Sequence, residues 1–185
     1  MNNIVVFASG NGSDLQAIID ACKETDNTRV VLVISNNPNA YALKRARDSE
    51  INSYCIDDSV LDSTDVVLDL LAIYQVNIII LAGYLKKIDD EIVKEYENNI
   101  YNIHPALLPK FGGKGMYGLN VHKAVIESGD KVTGATIHRV CTEYDTGEII
   151  MQETIAVLDD DTAETLRNRV LELEHIMLRK LILSL

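Results

Sequence analysis

Cysteine is scarce in this chain of 185 residues, with only Cys22, Cys55 and Cys141, widely spaced. An odd number without a C-x-x-C pair excludes a disulfide framework and suits a reducing compartment, so the chain is expected in the cytoplasm. Positive charge is also in short supply: 17 Lys and Arg stand against 28 Asp and Glu, a net charge of −11. A surface built to neutralise a nucleic-acid backbone needs clustered cations, so no nucleic-acid partner is expected. No long hydrophobic run is present. The apolar N-terminal stretch from Ile4 to Ala8 is too short for a signal peptide, and that around Ile78 to Leu85 is far short of a membrane span. Repeats, low-complexity tracts and linkers are absent too, and the three prolines sit at 38, 105 and 109.

The chain does have length and an ordinary apolar share of 47%, enough for one domain over 1–185 with a core that needs no metal or disulfide. Its patterns alternate. Continuous apolar runs at Ile4 to Ala8, Arg29 to Ile34 and Asn77 to Ala82, with Ser53 to Ile56 and Asn99 to Ile103, read as buried strands. Between them, Leu15, Ile18, Ile19 and Cys22, then Ala40 to Ser49, then Val67, Leu70, Leu71 and Tyr74, follow helical spacing, with a short helix around Ile92, Val93 and Tyr96. Val121 to Ser128 reads as a helix, Thr133 to Val140 and Glu148 to Val157 as antiparallel edge strands, and Thr162 onward as a long helix. The expected fold is α/β: a mostly parallel twisted sheet with helices on both faces and an antiparallel edge near the C-terminus.

Three motifs carry possible chemistry. Ser9-Gly10-Asn11-Gly12-Ser13-Asp14 joins a strand to a helix, where backbone N–H groups and the helix dipole suit a phosphate. Leu15 stands where a dinucleotide fingerprint needs its third glycine, and Ser35-Asn36-Asn37 offers no acid for a ribose. A plain tight turn with Asp14 as helix cap reads equally well. In Asn102-Ile103-His104-Pro105, Asn102 and His104 are two apart and face one way, so an amide and an imidazole can hold a developing oxyanion. A strand-capping His is the competing reading. Glu143-Tyr144-Asp145-Thr146-Gly147 reads as a turn between strands. His138 and Cys141 have ligand spacing but no second pair, so no metal is expected. His122 and His175 read as solvated helical residues, and His138 as structural.

Taken together the motifs resemble the phosphoribosylglycinamide formyltransferases, within the folate-dependent formyltransferase family. The resemblance covers nearly the whole chain. It rests on the Ser9 to Ser13 loop, Leu81-Ala82-Gly83-Tyr84, the Asn102 to Pro109 block, Gly134-x-Thr136-x-His138, and Asp145-Thr146-Gly147-Glu148-Ile149-Ile150-Met151-Gln152. It implies a Rossmann-like formyltransferase fold and transfer of a formyl group from 10-formyltetrahydrofolate to the amine of glycinamide ribonucleotide. Under it Asn102, His104 (as an imidazolium) and Asp145 are catalytic. Gly12, Ser13, Asp14 and Glu174 bind the phosphoribosyl substrate. Leu85, Lys86, Lys87, Ile88, Asn102, Cys141, Thr142, Glu143 and Tyr144 line the folate site. The N-terminal half is expected to bind phosphate, and the C-terminal half to bind folate and catalyse. Partners are these small molecules, with a homodimer left open, and without metal or membrane.

The chain departs from the family at four places. Asp14 replaces a usual Asn, the loop Gly112 to Gly118 is longer than in short-loop members, Ser63-Thr64-Asp65 lacks a basic residue, and the chain stops at Leu185. Sibling reactions remain alternatives: a formyltetrahydrofolate hydrolase, or a formyltransferase for a sugar amine or an initiator tRNA. The hydrolase's regulatory domain and the tRNA enzyme's basic domain are not found in these 185 residues. A phosphate-ligand binding module without turnover is the alternative from another class.

Overall fold

The structure, a computed structural model, describes residues 1–57 and 63–185. Seven strands form one sheet: β1 (Asn2–Phe7), β2 (Thr28–Ser35), β3 (Asn52–Cys55), β4 (Ile78–Leu81), β5 (Ile100–His104), β6 (Val132–Arg139) and β7 (Ile149–Ala156). Their order is β3-β2-β1-β4-β5-β6-β7. The first five pair in parallel, and β6 and β7 add antiparallel pairings. The helices are α1 (Ser13–Cys22), α2 (Tyr41–Asp48), α3 (Ser63–Ile73), α4 (Asp90–Glu95), α5 (Leu119–Ser128) and α6 (Ala163–Ser184).

The two-residue period of a strand explains why the central runs are apolar throughout. Ile4, Val6 and Ala8 of the β1 run enter one core with Leu15 and Ile18 of α1, Val125 of α5 and Leu166, Val170 and Met177 of α6. Val5 and Phe7 enter the opposite core with Val67 and Leu71 of α3 and Ile92 of α4. Helices therefore cover both faces, as the alternation predicts. The helix ends are locally encoded: Asp89 caps α4 by accepting from the Glu91 N–H, and Thr162 and Thr165 form a capping box on α6. No described helix is long and apolar enough to cross a membrane.

The chain runs from β1 outward to β3, then returns to place β4 on the other side of β1. That reversal opens a crevice at the carboxyl ends of β1 and β4, where ligands of open α/β sheets bind.

Candidate active site

A cleft of about 560 Å³ occupies this crevice, within the range of sites for small ligands and cofactors. Gly10 to Asp14 line one end, Leu85 to Ile88 with Val140, Cys141, Glu143 and Tyr144 another part, and Asn102, His104, His138 and Asp145 also border it. Thr142, next to these, is not part of the wall.

The glycine loop is held from several sides. The Ser9 hydroxyl accepts from the Leu85 N–H at 2.8 Å and donates to Asn36 Oδ1 at 2.6 Å, tying the loops after β1 and β4 together. Arg45 Nε donates to the Asn11 carbonyl at 2.9 Å and its Nη2 to Asn11 Oδ1 at 3.0 Å. Gly12 occupies the α1 N-cap with φ 73°, and a Cβ there would meet the Ala42 Cα at 2.8 Å. Both the left-handed backbone and the close approach of α2 require glycine. Asp14 is thus not the cap. It lies inside the first turn, and its Oδ1 is 3.3 Å from His175 Nε2. Glu174 of α6 is buried beside it. Burial pushes the Glu174 carboxyl well up, the Asp14 charge adds to this, and Arg167 opposes it. Glu174 is accordingly held as the neutral acid, able to donate a hydrogen bond.

The cluster at the other side is set by strand register. Asn102 of β5 pairs directly with His138 of β6, and His104 with Thr136. His138 Nδ1 donates to the Arg139 carbonyl at 2.9 Å, which leaves Nε2 to accept from Asn102 Nδ2 at 3.0 Å. His104 Nε2 similarly donates to the Phe111 carbonyl at 2.8 Å. Its Nδ1 lies 3.8 Å from Asp145 Oδ2. Asp145 has φ 56°, and its Oδ2 accepts from the Gly113 N–H at 2.7 Å while Oδ1 lies 3.4 Å from His138 Nε2. Gly147 closes this turn against the Arg139 carbonyl, where a Cβ has no room.

Burial drives the His104 pKa below its ordinary value, although the Asp145 charge and the Phe111 hydrogen bond resist. That direction runs against the imidazolium that the resemblance implies. Burial alone would raise Asp145, but a proton on His138 Nε2 beside Oδ1, the Gly113 N–H and the charge that the two imidazoles carry when protonated outweigh it and lower its pKa. His138, read as structural, is buried and hydrogen-bonds Asn102, whereas His122 differs from its sequence reading: it is buried, not solvated. Strand pairing and helix rotation, which a single sequence does not give, decide both. Among the described residues no group of three or more His, Cys, Asp or Glu could hold a metal ion.

The chain as a whole has counterparts among known proteins. The chloroplastic phosphoribosylglycinamide formyltransferase of Arabidopsis thaliana is 43% identical over 178 residues, 93% of this chain and 61% of that protein. That of Escherichia coli (strain K12) is 36% identical over 178 residues, 94% of this chain and 82% of that protein. The crystal structure of glycinamide ribonucleotide transformylase 1 from Symbiobacterium toebii matches with a TM-score of 0.91 at 37% identity, over 98% of this chain and 86% of that one. The chain spans about six-tenths of the plant relatives, at 61% and 57% of their lengths. Residues 2–182 match the formyl transferase family, and the chain belongs to that family.

Proposed function

We propose that the protein transfers the formyl group of 10-formyltetrahydrofolate to the amine of glycinamide ribonucleotide, the phosphoribosylglycinamide formyltransferase step of purine synthesis. The observation that carries this reading is one cleft that joins a phosphate-suited glycine loop to the Asn102, His104 and Asp145 cluster. Residues 1–185 act as a single formyltransferase domain in this reading. The loop N–H groups of Gly12 and Ser13 take the phosphate. Asp14 and the neutral Glu174 stand beside them for the ribose hydroxyls. Leu85, Lys86, Lys87, Ile88, Asn102, Cys141, Glu143 and Tyr144 receive the folate, with Thr142 supporting that loop from outside the wall.

The neutral amine attacks the formyl carbon, forming the C–N bond, and the carbonyl π pair moves to oxygen. The amide of Asn102 stabilises that oxyanion. His104 Nδ1 takes the proton from the attacking nitrogen, and Asp145 stabilises the imidazolium so formed. The same proton passes to the folate nitrogen as its bond to carbon breaks and the formyl carbonyl reforms. No proton is left over. The three unpaired cysteines are compatible with a reducing cytoplasm, and the net charge of −11 disfavours nucleic acid. The test is consumption of 10-formyltetrahydrofolate by purified protein with and without the ribonucleotide. Ribonucleotide-dependent consumption supports the transferase, and equal consumption in both arms favours the hydrolase.

A further inference from the structure

His122 is unusual among the buried polar residues. It lies on α5 at 2% exposure between Val121 and Val125, yet it lines the cleft. Its Nδ1 is fully shielded and has no hydrogen-bond partner, and among the described residues Nε2 makes no bond either. Nε2 is not shielded in this way, so it is the ring nitrogen that a ligand in the cleft can reach, and a ring this buried with no partner is costly unless a ligand completes it. Its neighbours along the cleft wall are the residues of both proposed ligand sites. His104, Arg167 and Glu174 line the same cleft. His122 therefore shares the cleft wall with residues of both the phosphoribosyl and the catalytic groups.

Glycinamide ribonucleotide carries, between its sugar and its reacting amine, a secondary amide with one C=O and one N–H. We infer that His122 is a substrate-binding residue that hydrogen-bonds this amide linker, thereby spacing the amine from the phosphoribosyl group. The inference rests on the proposed substrate. It stands first on the unpartnered ring at that position in the cleft. The protonation state agrees: burial, then the charges of Arg167 and His104, hold the His122 pKa at about 4. A neutral imidazole can donate to the carbonyl or accept from the N–H, whereas an imidazolium can only donate. His122 also reaches this place from a helix that packs on α6, so its geometry is fixed by the fold.

Steady-state kinetics of the whole protein test this with three variants. His122→Leu fills the space without polar atoms, His122→Ala vacates it, and His122→Gln keeps a donor and an acceptor. The KM for the ribonucleotide is expected to rise at least 10-fold in His122→Leu and His122→Ala and to recover partly in His122→Gln. The KM for 10-formyltetrahydrofolate and the inhibition constant of inorganic phosphate stay within twofold, because neither ligand has the amide. The Tm of His122→Leu does not fall, since an unpaired polar group has been removed. An unchanged ribonucleotide KM, or an equal weakening of inorganic phosphate, overturns the inference while leaving the transferase reading in place. A wild-type protein that binds phosphate but formylates no ribonucleotide overturns both.

Discussion

Asp145→Asn isolates the charge that supports proton transfer. Asn keeps the side-chain volume, tolerates the left-handed backbone at φ 56° and can still accept from the Gly113 N–H. What it removes is the negative charge 3.8 Å from His104 Nδ1. At an effective dielectric near 20, that pair is worth about 4 kcal/mol when the imidazole is charged. His138, 3.4 Å from the other carboxylate oxygen, and partial exposure share and screen the effect. A working loss of roughly 2–3 kcal/mol in the imidazolium-bearing transition state lowers kcat by about 30- to 150-fold. The sign of the pH effect follows. Asp145 raises the His104 pKa against burial, so its loss lowers that pKa further, and the acid limb of the rate profile moves to lower pH. Measured kcat and kcat/KM across pH 5 to 9, with folding checked by thermal melting, decide the matter. A near-wild-type kcat with an unmoved acid limb refutes the His104 and Asp145 partnership.

His104→Ala removes the base itself, and kcat is expected to fall by about 10²-fold or more with small changes in either KM; burst-free steady-state assays read it. The buried neutral His122 makes the fold acid-sensitive: its pKa of about 4, against an ordinary value of 6.5, gives stability present above pH 6.5 and lost as pH falls towards 4. That loss is about 3 kcal/mol, and chemical denaturation at pH 7 and pH 4 should show it reduced in His122→Leu. Glu174 works in the opposite sense. Its raised pKa means stability is lost as pH rises above the ordinary carboxyl range, so Glu174→Gln is expected to raise Tm at pH 8 while weakening ribonucleotide binding. Asp14→Asn is expected to tighten inorganic phosphate, measured by calorimetry, because it removes a negative charge from the first turn beneath the anion.

The parts of the fold that were legible are those written in local patterns. The runs at Ile4 to Ala8 and Ile78 to Ala82 are buried on both faces, so they are apolar without interruption, and their strands fall within two residues of expectation. Asn102 and His104 could be assigned one side because a strand's period is two. His138 was opaque because its role depends on standing opposite Asn102 across an antiparallel ladder. The Asp14 and His175 contact joins α1 to α6 from opposite ends of the chain, and no spacing rule links them. His122 lay hidden because helix α5 is short and its apolar stripe leaves the rotation of that one residue undetermined. The lowered pKa of His104 follows from its burial, which only packing supplies.

The most direct test of the account follows the formyl carbon itself. Purified protein is incubated with 10-[13C]formyltetrahydrofolate and glycinamide ribonucleotide, and the label is followed by NMR. The account predicts that the label moves to the ribonucleotide's amine as a new formamide, with formate no higher than in a protein-free control and with transfer slowed in His104→Ala. Label released chiefly as formate, or transfer unaffected by His104→Ala, contradicts it.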